Sequence, residues 1–288
     1  MPANKEAKYV SYEQTGEIVK VTVNRPDQLN AISRRVYSEL DDAFTRAEED
    51  DGVKVIIVAG SGDHFGAGHD LGSAEMQAEL PDYPRDMTLA GRVKAMDRGV
   101  FWRLHDRWRN IGKPTIAMIQ GYCIMGSWML ASACDLAIAS DDAKFADRSV
   151  RWGSVHHEYP THFFELGVKK AKEYLWTGDF IDARTAERLG LVNRVVPRAE
   201  LESATQWLAE RIALNDLLSL KLSKMSVNQA ADIMGVSAAV RASGNFWIIG
   251  SDQSTRRPMT GSGNSRVDWS KEQNERFNAH EKKGKKPW

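Results

Sequence analysis

Apolar residues form short continuous runs over the first two thirds of the chain and recur at helical spacing over the last third. Runs such as 53–59 and 136–140 predict buried strands, because a strand covered on both faces needs no polar alternation. Helical stretches separate these runs, and this alternation is typical of an α/β fold. Strands are predicted twice within 8–23, and over 53–59, 115–119, 136–140, 143–146 and 191–196. Helices are predicted from a cap at Ser33 or Asn30 to about 49, over most of 74–110, and over 126–134, 162–176, 182–189, 198–214, 216–230, 231–248 and 267–282.

Two glycine-containing turns each follow a predicted strand and precede a predicted helix. Residues 65–71 have the sequence FGAGHDL, and residues 121–126 have the sequence GYCIMG. Each turn can aim one main-chain N–H group at a common point, and two such groups form an oxyanion hole. A helix that begins at the second turn adds the positive end of its dipole. The pattern predicts a site where negative charge develops on a carbonyl oxygen.

The change in hydrophobic pattern divides the chain into two regions. Residues 1–197 contain the predicted strands and form the core, whereas residues 198–288 are a helical C-terminal region. Residues 251–266 are rich in Gly, Ser, Pro and Arg, which predicts a loop before a polar terminal helix. The basic tail at 282–286 is either a solvated end or a contact for ligand phosphates.

Composition argues against several classes of protein. The 288 residues include 39 Lys and Arg and 39 Asp and Glu, so no basic excess indicates a nucleic-acid partner. No signal peptide is recognised, which favours a cytoplasmic location. The apolar segment 115–139 contains Gln120 and Asp135, so it fits a buried strand–turn–helix–strand better than a membrane span. Cys123 and Cys134 are expected to be reduced thiols in the core, and no ligand set for a metal ion is recognised.

Short motifs occur in a fixed order along residues 9–196. They are NRP at 24–26, LNA at 29–31, FGAGHDL at 65–71, KPTIA at 113–117, GY at 121–122, CDL at 134–136, TGD at 177–179 and GLVNRVVP at 190–197. In this order they resemble the crotonase superfamily, also called the enoyl-CoA hydratase/isomerase family. The resemblance implies a spiral of ββα turns with a helical C-terminal region that builds homotrimers or dimers of trimers. It also implies an enzyme that stabilises the enolate of an acyl-CoA thioester, with coenzyme A as part of the substrate and no tightly bound cofactor.

The resemblance assigns roles to several positions of this chain. The oxyanion donors would be the main-chain N–H groups of His69 and Gly126. Asp70 is expected to cap the helix after the first turn. The residues implied to contact coenzyme A are Arg25, Leu29 and Ala31 on one wall and Ala67 and His69 on the opposite wall.

The sequence departs from the family at both glutamates that hold water in its hydratases. Met129 occupies the place of the first glutamate, and Ser149 occupies the place of the second. A thioether cannot transfer protons, and a serine hydroxyl is a weak base without a partner. Hydration by the two-carboxylate mechanism is therefore not supported, and an inactive relative is one reading.

Other titratable side chains lie nearby in the sequence. His156 and His157 follow Gly153 at the positions where relatives have catalytic groups, and Glu158 comes next. Histidine exchanges protons near neutral pH, so His157 is favoured as the acid/base group, with Glu158 orienting an imidazole or acting itself. Asp147 and Ser149 are further catalytic candidates, although Asp147 can equally pair with a neighbouring arginine.

Large apolar side chains cluster in the sequence around the expected acyl site. They belong either to the hydrophobic core or to a pocket wall that suits a bulky or cyclic acyl group. The residues concerned are Met125, Trp128, Met129 and Trp152.

These features support an acyl-CoA enzyme of the hydratase/isomerase type as the leading hypothesis. Decarboxylation, thioester hydrolysis and C–C cleavage are alternatives, because each needs fewer positioned carboxylates. A non-catalytic relative that binds coenzyme A or RNA is the alternative from another class. The balanced charge argues against RNA, and the two intact turns argue for chemistry.

Overall fold

The computed structural model of the chain describes residues 7–79, 100–153, 159–251 and 266–282. Within these residues the chain folds into two sheets and eleven helices, so the predicted α/β class is confirmed. The strands are β1 (Val10–Thr15), β2 (Ile18–Val23), β3 (Val55–Gly60), β4 (Thr115–Ile119), β5 (Tyr122–Ile124), β6 (Leu136–Ser140), β7 (Lys144–Ala146), β8 (Ile181–Asp182) and β9 (Arg194–Val196). The helices are α1 (Arg34–Glu49), α2 (Ala74–Glu79), α3 (Val100–Arg109), α4 (Gly126–Ala133), α5 (His162–Leu166), α6 (Val168–Thr177), α7 (Ala183–Leu189), α8 (Leu201–Ala213), α9 (Leu217–Ile233), α10 (Val236–Ser251) and α11 (Arg266–Lys282).

The larger sheet has six strands in the order β1-β2-β3-β4-β6-β9. Only the β1–β2 pair is antiparallel, and the other neighbours run parallel. All six residues of β3 are buried, which explains why its sequence is a continuous apolar run. The smaller sheet has the order β5-β7-β8.

The segment 115–139 connects the two sheets. It contains β4 of the larger sheet, β5 of the smaller sheet, α4 and most of β6, so the prediction of a buried strand–turn–helix–strand is confirmed. Strand β5 falls within the second glycine turn and pairs with β7, for example Cys123 with Phe145. None of the helices in the described ranges is long and apolar enough to cross a membrane.

Helix boundaries follow local chemistry. Of the two predicted caps for α1, the structure uses Ser33, whose hydroxyl accepts the Val36 N–H at 3.3 Å. The single helix predicted over 162–176 is two helices, α5 and α6, because Gly167 between them has a φ of 74°. The predicted boundary at 231 lies four residues later, where Gly235 with a φ of 109° separates α9 from α10.

The C-terminal helices pack directly on the core. Helix α8 covers the outer face of the larger sheet and contributes Leu201 and Ala209 to a cluster with Ile57. Helix α11 contacts the 3₁₀ turn at Ser149–Trp152, where the Arg151 guanidinium lies 3.9 Å from the ring centre of Phe277. The division at residue 197 marks the last strand, and its status as a domain boundary stays a prediction.

The two cysteines lie in or against the core, as the sequence predicts. Cys123 is fully buried and Cys134 is partly exposed, and neither forms a disulfide. Burial raises the pKa of the Cys123 thiol well above its usual value and raises that of Cys134 to about 12. Both side chains are therefore protonated, apolar packing groups at neutral pH.

Candidate active site

The first glycine turn is held as an extended segment between two neighbouring segments. On one side the Gly66 N–H donates to Tyr122 O at 2.8 Å, and the Ile124 N–H donates to Gly66 O at 3.0 Å. On the other side Ala67 N–H donates to Leu29 O at 2.9 Å. Segment 65–70 therefore connects the loop at 29–32 to the second glycine turn.

The pairing around Ile32 sets the direction of the His69 amide. Ile32 N–H donates to Gly68 O at 2.7 Å, and Asp70 N–H donates to Ile32 O at 3.0 Å. Because this parallel bridge uses the residues on either side of His69, the His69 N–H points away from Ile32. That opposite side is the one that faces the second turn.

The second turn ends at the first residue of α4, which is Gly126. Met125 before it has φ 46° and ψ −116°, and its side chain does not cap the first amides of α4. A positive φ is strained for a non-glycine residue and is typical of functional sites. The Met125 N–H is held by Ala146 O at 2.9 Å, which fixes this conformation.

The two turns touch each other. A Cβ built on Gly68 would lie 2.8 Å from Ile124 O and 3.3 Å from Gly126 N, and the φ of Gly68 is +94°. A Cβ built on Gly126 would lie 2.7 Å from His69 Cε1, so the imidazole fills the space beside this glycine. The residues predicted to supply the two oxyanion donors are thus in direct contact.

Arg25 forms ion pairs with two acidic residues, one in the first turn and one in α2. Its side chain is 1% exposed, and Nη2 lies 2.9 Å from Asp70 Oδ2 and 2.8 Å from Glu75 Oε2. The side chain also donates to Ala31 O. Arg25 therefore ties the loop at 25–31 to the first turn, and its predicted contact with coenzyme A stays a prediction. Leu29, by contrast, is 42% exposed beside the partly exposed Ala67 and Ala31.

Asp70 orders the turn before α2 and does not cap that helix. Asp70 Oδ1 accepts the N–H groups of Gly72 at 3.1 Å and Ser73 at 2.9 Å, while Ser73 Oγ accepts the Met76 N–H at 3.1 Å. The sequence-based cap assignment is corrected accordingly, and Ser73 is the cap. Burial acts to raise the pKa of Asp70, but hydrogen bonds from Ser73, Gly72 and Arg25 outweigh it and hold the pKa below its usual value.

Ser149, in the place of the second hydratase glutamate, is part of a buried polar cluster. Its hydroxyl donates to Asp147 Oδ1 at 2.5 Å, and its N–H donates to the same oxygen at 2.9 Å. Asp147 Oδ2 lies 3.8 Å from His162 Nε2, with both side chains at most 5% exposed. Ala146, the residue before Asp147, accepts the Met125 N–H, so the polar cluster lies near the start of α4. Among the described residues Asp147 forms no ion pair with an arginine, and the neighbouring Arg151 pairs with Asp179 instead.

The apolar residues expected at the acyl site divide by burial. Trp128 and Met129 belong to the main core cluster, whereas Met125 is partly exposed. Trp128 Nε1 donates to Glu165 Oε2 at 3.2 Å, and its ring centre lies 4.4 Å from that of His162. Trp128 is thus a core residue that supports the polar cluster. His156, His157 and Glu158 lie outside the described residues, as does the side chain of Trp152.

Sequence reasoning missed a row of buried polar aromatic side chains that leads inward from His69. Tyr37 lies 6.2 Å from His69 and 5.6 Å from His105, and His105 lies 5.4 Å from Tyr159, measured between ring centres. Tyr37, His105 and Tyr159 are fully buried. The only local signal was His105 on the apolar face of a helix, three residues before the buried Trp108.

Comparison with known proteins identifies the family of the chain. The family model described as enoyl-CoA hydratase/isomerase matches residues 13–262. A putative enoyl-CoA hydratase of Mycobacterium tuberculosis, EchA13, is 41% identical over 249 residues, which cover 82% of this chain and 78% of that protein.

Solved structures extend the similarity to the fold. A probable enoyl-CoA hydratase of Mycobacterium smegmatis is 41% identical and superposes with a TM-score of 0.77, covering 84% of this chain and 94% of its own. An enoyl-CoA hydratase/isomerase of Xanthobacter autotrophicus is 26% identical with a TM-score of 0.79, covering 96% and 99%. The expected crotonase-like fold is confirmed, and the chain belongs to the enoyl-CoA hydratase/isomerase family of enzymes.

Proposed function

We propose that this enzyme binds an acyl-CoA thioester and stabilises its enolate with the main-chain N–H groups of His69 and Gly126. The observation that carries the proposal is the contact between the two glycine turns, in which Gly68 approaches Gly126 N. Two donors that converge on one point are what a thioester oxygen needs as it gains negative charge.

The proposed chemistry begins at the carbon next to the thioester carbonyl. Removal of a proton, or of another group that leaves its electron pair behind, places negative charge on the carbonyl oxygen. Hydrogen bonds from both amides and the dipole of α4 would then lower the barrier. Loss of one such donor typically costs about 3 kcal/mol of transition-state stabilisation.

A proton-transfer group must accompany the oxyanion hole. His157, with Glu158 orienting an imidazole or acting itself, and His156 stay the candidates from sequence. The pair of Ser149 and Asp147 gains support from the structure, because the hydroxyl donates directly to a buried carboxylate. That carboxylate can accept the serine proton while the serine oxygen receives one from substrate, which gives Ser149 the basic partner that a lone hydroxyl lacks.

Hydration or isomerisation of an unsaturated acyl-CoA is the leading reaction type, in keeping with the family. Met129 is buried in the place of the first hydratase glutamate, so the water of a two-glutamate mechanism has no ligand there. This observation favours decarboxylation as the runner-up, because the protein then only has to hold the enolate that forms when CO₂ leaves. Thioester hydrolysis and C–C cleavage stay further alternatives, and a non-catalytic relative that binds coenzyme A or RNA is the alternative from another class.

The proposed coenzyme A site lies at the edge formed by Leu29, Ala31, Ala67 and His69, with Arg25 behind it. Leu29 is exposed and its carbonyl accepts the Ala67 N–H, so a hydrogen bond joins the two sides of the proposed groove. A bulky or cyclic acyl group is proposed for the substrate, placed beside the partly exposed Met125. We propose that the enzyme needs neither a tightly bound cofactor nor a metal ion.

We also propose that the protein assembles as a homotrimer or a dimer of trimers. Helix α9 exposes Leu218 at 62%, Leu222 at 55% and Met225 at 55%, which occupy one helical stripe. A second copy of the chain that covers this stripe would remove it from water. A cytoplasmic location stays a prediction, which cell fractionation can test.

Incubation with a panel of acyl-CoA thioesters in D₂O tests the function. The panel should include saturated, unsaturated and α-carboxylated acyl groups, with analysis by mass spectrometry. Product formation, or deuterium at the carbon next to the carbonyl, would support enolate chemistry. The absence of both, in a preparation that binds coenzyme A, would favour the non-catalytic alternative.

A further inference from the structure

One side chain joins the two glycine turns directly. Ser127 Oγ accepts the Gly68 N–H at 3.0 Å, and Ser127 is 1% exposed. Ser127 follows Gly126, and Gly68 precedes His69. The hydroxyl therefore connects the residue after one proposed donor to the residue before the other.

The backbone of the first turn approaches Ser127 very closely. A Cβ built on Gly66 would lie 2.2 Å from Ser127 Oγ and 2.9 Å from Ser127 Cβ. Only glycine leaves room for the hydroxyl to pass Gly66 and reach the Gly68 amide. The contact thus depends on both glycines of the first turn and on the serine of the second.

The hydroxyl serves the other turn and not its own helix. A serine in or just before the first turn of a helix commonly caps that helix by accepting one of its free amides. Ser127 lies in the first turn of α4 but accepts an amide that is 59 residues away in sequence. The Gly126 amide at the start of α4 is the second proposed donor, and the Ser127 hydroxyl is engaged with the first turn instead.

From this geometry we infer that Ser127 is a positioning residue that sets the separation and direction of the two oxyanion donors. The inference rests on the proposed enolate function. Hydrogen-bond donors act on a transition state only within roughly 0.5 Å and 10–20° of the productive geometry. A hydroxyl that holds the Gly68 amide on α4 restricts the position of the neighbouring His69 amide relative to Gly126.

The test compares Ser127→Ala with Ser132→Ala. Ser132 is in the same helix, and its hydroxyl is buried without a hydrogen bond in the described part of the chain, so it is a matched control. We expect Ser127→Ala to lower kcat about 10- to 100-fold, with KM and coenzyme A affinity within about twofold of the wild type. Ser132→Ala should leave kcat unchanged.

Amide hydrogen exchange gives a readout that does not depend on activity. We expect the Gly68 amide to exchange at least about tenfold faster in Ser127→Ala, because its acceptor is gone. The proposed function fails if the wild-type enzyme neither turns over any thioester nor exchanges deuterium into one. Even then, the exchange rate of the Gly68 amide still tests its hydrogen bond to Ser127.

Three results would overturn the inference. One is a kcat for Ser127→Ala within twofold of the wild type, and another is an equal loss in Ser132→Ala. The third applies if Ser127→Ala does not fold. Ser127→Cys then decides, since its thiol keeps the shape of the side chain with a somewhat larger terminal atom but accepts hydrogen bonds only weakly. A folded Ser127→Cys with lowered kcat supports positioning, whereas full activity or a failure to fold contradicts it.

Discussion

The imidazole of His69 lies in the space that a side chain at Gly126 would occupy. All three nearest atoms to a Cβ built on Gly126 belong to this ring, at 2.7, 2.8 and 3.1 Å. The residues that supply the two proposed donors are therefore coupled through a side chain as well as through the backbone. This coupling can be tested, because each residue can be changed without deleting a main-chain N–H group.

We expect Gly126→Ala to lower kcat/KM at least about tenfold, because the new methyl group pushes the His69 ring and with it the first turn. His69→Ala keeps its amide and removes the ring, so the double variant should recover much of the loss. Steady-state kinetics of the two single variants and the double variant measure the coupling. Gly52→Ala is the control, since its Cβ would meet only the ends of two surface side chains. A double variant no better than Gly126→Ala would contradict the steric explanation.

Asp147→Asn and Ser149→Ala should each lower kcat about 100-fold, because they break the pair that combines a hydroxyl with a buried carboxylate. Coenzyme A affinity should change little, and isothermal titration can measure it separately. Ser140→Ala offers a matched control, since the Ser140 hydroxyl also bonds a carboxylate two residues away, that of Asp142. Wild-type rates in both variants would remove this pair from the mechanism and leave the residues 156–158 as candidates.

The elements that the sequence predicts well are those with a local cause. Strand β3 is an apolar run because both of its faces are covered, and α1 starts at Ser33 because a serine can accept its free amide. The break at Gly167 was missed, since a glycine inside a helical pattern costs only about 1 kcal/mol and does not by itself end a helix. Only the structure reveals its φ of 74°, at which the chain changes from α5 to α6.

The features of the candidate site also fall into those that a local sequence pattern predicts and those that it does not. The two turns were recognisable because glycine is needed where the backbones meet. The bond between Ser127 and Gly68 joins residues 59 positions apart, and the approach of His162 to Asp147 depends on how α5 packs on Trp128. Ser127 and His162 do not occur at a spacing that is typical of any motif, so only the tertiary structure identifies their partners.

The lowered pKa of Asp70 predicts how stability depends on pH. A carboxyl group whose pKa is lower in the folded state stabilises that state above its unfolded pKa, near 3.8. This contribution disappears as the pH falls through the folded value. Asp70→Asn should therefore lower the free energy of unfolding by about 1–3 kcal/mol at pH 6 and by progressively less below pH 4. Urea unfolding at several pH values measures this, with Asp63→Asn as an exposed control. A difference that stays constant down to pH 2.5 would contradict the linkage.

The cysteines should be unreactive in the folded enzyme. A thiol with a pKa of about 12, as for Cys134, is ionised at pH 8 in only about one molecule in ten thousand. We expect Ellman's reagent to label both cysteines over hours in the native protein and within seconds to minutes in urea. The single variants Cys123→Ser and Cys134→Ser show which cysteine reacts in each kinetic phase of the labelling. Rapid native labelling of Cys123 would contradict its burial.

The exposed stripe on α9 predicts the effect of a charge on assembly. Leu218→Asp places a carboxylate where the proposed second copy would bury it, and an unpaired buried charge costs several kcal/mol. Light scattering coupled to gel filtration should show the molar mass falling toward that of one chain, 32.3 kDa. Val168→Asp adds the same charge at a half-exposed apolar position on α6 and should leave the mass unchanged. If Leu218→Asp keeps the wild-type mass, the stripe on α9 is not the interface between copies.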